Sequence, residues 1–227
     1  MFSSQTLDFL MENKLRDSRE WFLENRHVYE KHVLAPLAEL TSLLEPTINK
    51  IDPLLICEPK INKSISRIYR DTRYSKDKST FREVMWLLFI RDKKQYKNYP
   101  AFYFEISPYC FRYGLGYYWT PPEVLESMRG LILASDRAFL RANRHLKSQN
   151  VFEITGEMYK RDRYLDYPQD VKRWLNRKNI SIDTESHDFD LLFSDRLSNV
   201  LAEGFLSLKP EYEFLSKAAA QSSDSGK

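Results

Sequence analysis

The sequence SRIYRDTRYSKDKSTFR at residues 66–82 leads into VMWLLFI at residues 84–90, the most apolar run in the chain. Between Lys60 and Arg82 stand eight lysines and arginines and two aspartates, a net charge of 8 − 2 = +6. The whole chain of 227 residues carries only +3, so the remainder sums to −3. A run that is apolar on both faces is typical of a central sheet strand. This stretch therefore predicts a charged loop that leads into the middle of a β-sheet.

Alternation of apolar and polar residues predicts the other strands, because successive side chains of a strand face opposite sides of the sheet. The predicted strands lie near residues 61–70, 84–91, 101–107 and 110–118. The last three are joined by short links, which indicates an antiparallel meander. Ile180 and Ile182 add a candidate edge strand. Gly114 and Gly116 mark a bulge or a place where something approaches the backbone closely.

Helical patterns flank these strands in the sequence. Apolar residues at three- and four-residue steps predict helices at residues 3–14 and from Asp17 to Leu44. The second helix is expected to kink or break just before Pro36, because proline cannot donate the backbone hydrogen bond that a helix interior requires. Another helix is predicted from Asp190 to Leu208.

The composition indicates a globular protein, since 42% of the residues are hydrophobic and 14% are aromatic. The chain shows no internal repeat and no break in composition. We therefore expect one α+β domain over residues 1–217, with a mainly antiparallel sheet flanked by N- and C-terminal helices. The polar residues at 218–227 predict a disordered tail.

Several classes of protein are disfavoured by what the sequence lacks. Cys57 and Cys110 are the only cysteines, too few for a disulfide scaffold and too far apart for a C-x-x-C metal pair. The first residues lack the basic and apolar regions of a signal peptide. The run at 84–90 is far shorter than the ~20 residues that span a bilayer. A cytoplasmic protein with no membrane partner is the expectation.

The residues at 67–82, RIYRDTRYSKDKSTFR, resemble the pattern R-I-x-R-D-x-R-F-S-K-D-K-T-P-Y-K of DUF2461, a widespread bacterial family of unknown function. The likeness extends along nearly the whole chain and includes GLGYYWTPPEVLESMRGLI at residues 114–132. The chain departs from the family at Thr80 (usually proline), Phe81 (usually tyrosine) and Tyr167 (usually histidine). The resemblance implies one domain and an important basic segment, but it names no reaction, and any cofactor stays unknown.

The basic loop, residues 67–82, is the candidate ligand site. Arginine offers a planar fork for bidentate contacts to phosphate or carboxylate, and lysine adds a point charge. The two aspartates are expected to orient the cations and not to touch the ligand. The candidate ligand-binding residues are Arg67, Arg70, Asp71, Arg73, Lys76, Asp77, Lys78 and Arg82. The expected partner is an anionic small molecule.

A structural interpretation of the same residues competes with this one. In it, Asp71 pairs with Arg70 or Arg73, Asp77 pairs with Lys78, and the loop staples helices to the sheet. The protein is then an interaction module with no ligand at the loop. The two interpretations differ in whether each loop cation has a carboxylate of its own chain as partner.

Two further functions stay open. Asp71 and Asp77 could hold a metal ion for hydrolysis of a phosphodiester. Six tyrosines could stack on the bases of a nucleic acid, a partner that the sequence favours less: Tyr69, Tyr74, Tyr103, Tyr113, Tyr117 and Tyr118. The chain contains no P-loop, nucleophile-elbow or H-E-x-x-H motif, and none of its four histidines lies in a motif. Whether the protein is an enzyme, and its oligomeric state, are left open.

Overall fold

The computed structural model describes residues 1–73 and 75–224 and has an α+β fold. The strands are β1 (Met85–Phe89), β2 (Ala101–Ile106), β3 (Phe111–Gly116), β4 (Glu153–Thr155) and β5 (Ser181–Ser186). They form a five-stranded antiparallel sheet in the order β1-β2-β3-β5-β4. The predicted fold class, including helices at both ends of the chain, is confirmed.

Helices precede and follow the strands. The first are α1 (Ser4–Arg16), α2 (Arg19–Glu24), α3 (Arg26–Tyr29) and α4 (Ala35–Ile51). The middle helices are α5 (Pro122–Leu133), α6 (Arg137–Ser148) and α7 (Gln169–Leu175). The last are α8 (Phe189–Leu192), α9 (Leu197–Ser207) and α10 (Lys209–Asp224). Within the described part of the chain, none of these helices combines the length and apolar character needed to cross a membrane.

The helical region before the sheet changes its pitch just ahead of Pro36. A π-helical turn at Glu30–Leu34 separates α3 from α4, and Pro36 lies in the first turn of α4. The Ala35 N–H still donates to the Glu30 carbonyl of the π turn, and Pro36, which has no N–H, comes directly after it. The predicted long helix is therefore present as shorter helices, and the π-helical turn lies just before Pro36, where the sequence predicts a kink or break.

The described residues divide into two compact units. The first comprises Met1–Phe89, Tyr103–Tyr113 and Glu185–Glu203. The second comprises Ile90–Phe102, Gly114–Thr184 and Gly204–Lys227. The single domain predicted over residues 1–217 stays a prediction.

Aromatic side chains build the core of the first unit at the two ends of the basic loop. Phe81 is completely buried, and its ring centroid lies 5.1 Å from that of Phe22 and 4.9 Å from that of Tyr69. Phe22 also contacts Tyr29 and Phe9 at 5.5 and 6.4 Å. Such pairs add about 0.5–1.5 kcal/mol each beyond the apolar area they bury. The loop therefore begins and ends on the core.

In the second unit, a tryptophan lies at the centre of the core. Trp174 of α7 is completely buried, with ring centroids 5.9 Å from Phe139 and 5.4 Å from Phe214. Its indole Nε1 donates a hydrogen bond to Asn143 Oδ1 at 3.0 Å, which satisfies the one polar atom of the ring. Helix α10 packs against α5 and α6 to complete this core.

The strand predicted near residues 61–70 is not a regular strand. Ile65 pairs with Leu87 and Tyr69 with Phe81, each as an isolated bridge. The ladder cannot extend because residues 60–65 form a tight turn, in which the Ile65 N–H bonds the Lys60 carbonyl and Asn62 has a left-handed φ of 67°. The sequence alternates there, but the chain turns back on itself before pairing begins.

The C-terminal half of the sheet and the tail also differ from expectation. The strand around Ile180 and Ile182 is β5, an internal strand, because β4 pairs with it on one side and forms the edge. Residues 218–224, where the sequence predicts a disordered tail, continue α10, and Ala218 and Ala219 are buried. Residues 225–227 lie outside the described residues.

The close approach predicted at Gly114 and Gly116 is present. A Cβ atom added to Gly114 would lie 2.2 Å from the Ile182 carbonyl oxygen and 2.6 Å from the Asp183 Cα. One added to Gly116 would lie 2.5 Å from the Ser181 Cα. Because these neighbours are backbone atoms of β5, they cannot move aside as a flexible side chain can. The two glycines let β5 lie directly against β3.

We expect Gly114→Ala to lower the free energy of unfolding by about 3 kcal/mol, because the added methyl group overlaps the backbone of β5. Gly130→Ala in α5 is the matched control, since a Cβ there meets nothing within 4 Å. Alanine is the better helix former, so the control is expected to gain up to about 1 kcal/mol. Urea denaturation of both variants measures this difference, and equal stabilities would contradict it.

A buried carboxylate makes the stability of the second unit depend on pH. Glu211 of α10 is completely buried, and its Oε1 lies 2.7 Å from Nδ1 of His145. Its Oε2 is buried without a hydrogen-bond partner among the described residues. Burial raises the pKa of Glu211, and the hydrogen bond and charge of His145 oppose this only in part.

The folded state therefore binds a proton at Glu211 more tightly than the unfolded chain does, whose glutamate pKa is about 4.3. Its contribution to the free energy of unfolding is largest below that pH and falls as the pH rises through the folded pKa. We expect wild type to lose stability relative to Glu211→Gln as the pH rises from about 4 to about 7. Urea titrations across this range test the prediction, which parallel pH profiles would contradict.

Candidate functional site

The basic loop is closed by a short antiparallel neck. The Arg70 N–H donates to the Thr80 carbonyl and the Arg82 N–H donates to the Ile68 carbonyl, both at 2.9 Å. These bonds flank the bridge between Tyr69 and Phe81, whose rings contact each other and the ring of Phe22. Both ends of the loop are thus fixed to the first unit, and the charged residues between them project from one anchored base.

The C-terminal end of α1 holds the second half of the loop. Oδ1 of Asp17 accepts hydrogen bonds from the backbone N–H groups of Thr80 at 2.7 Å and Phe81 at 3.1 Å. Asp17 reaches them from a left-handed conformation, φ 43°, at the end of the helix. One turn earlier, Lys14 Nζ donates to Ser79 Oγ at 2.7 Å. The sequence indicates Asp17 only as a helix-capping residue and gives no sign of this long-range contact.

A second carboxylate braces the loop from inside. Asp77 Oδ2 accepts from Arg70 Nη1 at 2.5 Å, and Asp77 Oδ1 accepts from the Ser79 N–H at 2.9 Å. The hydrogen bonds from Ser79, followed by the charges of Arg70 and Lys14, lower the pKa of Asp77. The partner of Asp77 is therefore Arg70 and not Lys78, whose Nζ donates to the Thr72 carbonyl at 2.8 Å.

Asp71 and Arg73 form a bidentate pair on the exposed side of the loop. Arg73 Nε and Nη2 donate to the two carboxylate oxygens at 3.0 and 2.6 Å. The side-chain and backbone hydrogen bonds from Arg73 lower the pKa of Asp71 well below its usual value, and the charges of Arg73 and Arg67 add to this. The pairing of Asp71 with Arg73 was one of the two predicted. It fixes the plane of the Arg73 guanidinium, whose side chain is 74% exposed.

The other loop cations have different surroundings. Arg67 and Lys76 are exposed and have no hydrogen-bond or ion-pair partner among residues 1–73 and 75–224. Arg82 lies over the ring of Trp86, with its guanidinium carbon 4.4 Å from the centroid. Tyr74 lies outside the described residues. The loop therefore combines a braced half with cations directed to solvent.

The geometry does not favour a metal site at this loop. Both aspartates are taken up by arginines, and ion pairing leaves fewer oxygen lone pairs for a metal. In the described part of the chain, no three histidine, cysteine, aspartate or glutamate side chains come close enough to hold an ion. Metal-assisted hydrolysis by Asp71 and Asp77 thus gains no support from their positions.

The tyrosines predicted to stack on bases have different environments. Tyr69 packs on Phe22 and Phe81 but is 38% exposed, whereas burial raises the pKa of Tyr113 and Tyr117. Tyr118, by contrast, is fully exposed. Exposed tyrosine rings are therefore found both at the basic loop, at Tyr69, and in the second unit, at Tyr118.

The fold and the loop define an α+β protein in which a braced cationic loop precedes an antiparallel sheet. A family model described as a conserved hypothetical protein, DUF2461, matches residues 5–214. The chain belongs to this family, and the resemblance seen in its sequence is confirmed. No curated protein shows significant similarity to it.

We expect Asp17→Gly to lower the free energy of unfolding by about 2 kcal/mol, because two backbone N–H groups lose a charged acceptor. Glycine tolerates the left-handed conformation, so the variant isolates the loss of the carboxylate. Asp8→Ala is the matched control on the exposed face of α1 and should change stability by less than about 0.5 kcal/mol. Chemical denaturation measures both, and a neutral Asp17→Gly would show that the contact does not hold the loop.

Proposed function

We propose that the basic loop binds a phosphate-bearing or other anionic ligand. The observation that carries the proposal is that Arg67 and Lys76 are exposed without a hydrogen-bond or ion-pair partner in the described part of the chain. From Arg67 to Arg82 the loop holds six cations and two carboxylates, a net charge of 6 − 2 = +4. Like charges this close repel one another, and a bound anion relieves that repulsion.

The contacts within the loop distinguish residues that hold its shape from residues that would contact the ligand. Arg70 and Asp77 brace the loop, and their ion pair at 2.5 Å leaves Arg70 little freedom to reach a ligand. Asp71 holds the Arg73 guanidinium in one plane, which reduces the side-chain entropy that Arg73 loses when a ligand binds. Arg67, Arg73, Lys76 and Lys78 then supply the contacts to the anion.

This division narrows the set of ligand contacts predicted from the sequence. In this proposal Asp71 and Asp77 do not touch the ligand but orient the cations that do. Arg82 does not touch it either, because its guanidinium stacks on Trp86. Oxygen-rich anions such as phosphate suit the remaining groups, because arginine binds two oxygens at once and lysine adds charge without demanding a direction. The ligand is expected to be held at the surface, so its affinity should fall as salt is added.

The proposal predicts that inorganic pyrophosphate binds and that Arg67→Ala/Lys76→Ala weakens binding at least about tenfold, because hydrogen bonds to charged groups contribute about 1.5–3 kcal/mol each. Lys93→Ala/Lys94→Ala is the control, since it removes the same charge from two exposed lysines of the second unit. Isothermal titration calorimetry in low salt measures both affinities.

Two outcomes would count against this function. If both double variants bind pyrophosphate equally weakly, the loss follows from the lower net charge alone, and the loop is not a binding site. No binding by wild type, together with a large loss of stability in Arg70→Ala, would leave the loop as a structural staple of an interaction module.

A further inference from the structure

A surface of the second unit carries exposed aromatic rings together with arginine and lysine side chains. It is formed by residues 117–120, 156–164 and 177–179, and we call it the aromatic platform. Tyr118 is fully exposed and Trp119 is 64% exposed, although both follow β3 directly. Large aromatic side chains bury 150–250 Å² when they pack, so two adjacent exposed rings leave a large apolar area in water.

Hydrogen bonds join the three segments of the platform into one rigid surface. The side chain of Asn179 donates to the Tyr118 carbonyl at 3.1 Å and accepts from the Thr120 N–H at 2.8 Å. The N–H of Lys178 donates to the Glu157 carbonyl at 2.7 Å. At Gly156, φ is 98°, and an added Cβ would lie 2.3 Å from the Asn179 carbonyl oxygen. The exposed rings therefore stand on a backbone that packing and hydrogen bonds hold in place.

Cations surround the ring of Tyr159, in the second segment of the platform. The guanidinium carbon of Arg163 lies 3.6 Å from the centroid of the Tyr159 ring. Arg129 approaches the same ring from 5.5 Å, with its Nη2 donating to Tyr159 Oη at 3.3 Å, and Lys178 Nζ lies 5.8 Å away. Arg163 is exposed and has no ion pair among the described residues. It therefore presents a flat, charged face to solvent.

The charge of this region is complementary to a polyanion. Residues 156–179 contain seven lysines and arginines and four acids, a net charge of 7 − 4 = +3. Exposed aromatic faces with interleaved cations are what proteins offer to unpaired bases and their phosphates. A duplex hides the faces of its bases, and an acidic peptide supplies charge but no flat rings. The combination favours a strand whose bases are unpaired.

We propose that the aromatic platform binds single-stranded nucleic acid, with Tyr118 and Trp119 stacking on bases and Arg163 contacting the backbone or a base face. The site is separate in the sequence from the basic loop and does not rest on its function. Whether the strand is DNA or RNA is decided by contacts to the sugar, since stacking and phosphate contacts serve both.

Trp119 itself reports binding. All four tryptophans lie among the described residues, and Trp119 is the exposed one, whereas Trp174 is completely buried. Stacking of a base on Trp119 should quench its fluorescence as an oligonucleotide of about 12 nucleotides is added, the length that one such site covers. Oligo(dT) and oligo(rU) titrated in parallel distinguish the two kinds of strand.

Matched variants locate the site. Tyr118→Ala should weaken binding about tenfold through loss of one stacked base, whereas Tyr109→Ala, at a tyrosine 58% exposed in the first unit, should not. Arg163→Ala should weaken binding and reduce the slope of log affinity against log salt concentration by about 1. Arg144→Ala, at another exposed arginine, is the control and should change neither. Arg67→Ala/Lys76→Ala should leave the affinity for the oligonucleotide unchanged.

Three results would overturn the proposal. One is the absence of saturable quenching by either strand up to about 0.1 mM, the weak end of non-specific binding. Another is an affinity that falls in the loop variant but not in Tyr118→Ala. The third is equal binding of poly-glutamate through the same residues, because charge alone would then explain the interaction and an acidic protein would be the better partner.

Discussion

The basic loop depends on one carboxylate, that of Asp17, which accepts hydrogen bonds from two consecutive backbone N–H groups at Thr80 and Phe81. A segment with a net charge of +4 has little tendency to settle against a protein, since its cations repel one another and prefer water. Contacts that hold its backbone therefore contribute to its order, in addition to the ion pairs within the loop. Asp17 supplies this order by bonding to the backbone, which leaves the side chains of the loop available for other contacts.

The position of this anchor also explains why the loop can be both braced and open. Phe81 is completely buried beside Phe22 and Tyr69, so the C-terminal end of the loop is fixed in the core. Arg70 and Asp77 then form an ion pair near this end, where the chain is already fixed and little side-chain entropy remains to be lost. Arg67 and Lys76 have no such neighbour in the described part of the chain.

Sequence patterns predicted those helices and strands that are determined by the residues of the segment itself. The apolar run at 84–90 became β1, alternation gave β2 and β3, and Pro36 marked the change of helix type. The importance of Gly114 could be predicted because only a residue without a side chain permits such a close approach. The family resemblance rested on a dense motif of charged residues, and the family match confirmed it.

What could not be predicted involves contacts between distant residues. Asp17 and Thr80 are 63 positions apart, and nothing in the spacing of charges shows that they meet. Strand β4 has only three residues, too few for alternation to be recognised. The polar C-terminal segment forms a helix because Ala218 and Ala219 are buried, a tertiary effect that outweighs its composition. The aromatic platform likewise depends on Asn179 joining segments far apart in the sequence.

The neck between Arg70 and Thr80 has a consequence for how this protein can change over evolutionary time. Because hydrogen bonds tie the two ends of the loop together, an insertion or deletion at residues 71–79 changes the loop and its ion pairs but leaves its two ends joined. Loop-closure entropy grows slowly with length, so the added chain length itself costs little stability. Changes in the length of the loop therefore do not alter β1 or the strands beside it. The same scaffold can therefore acquire loops of different length and charge while its sheet stays the same.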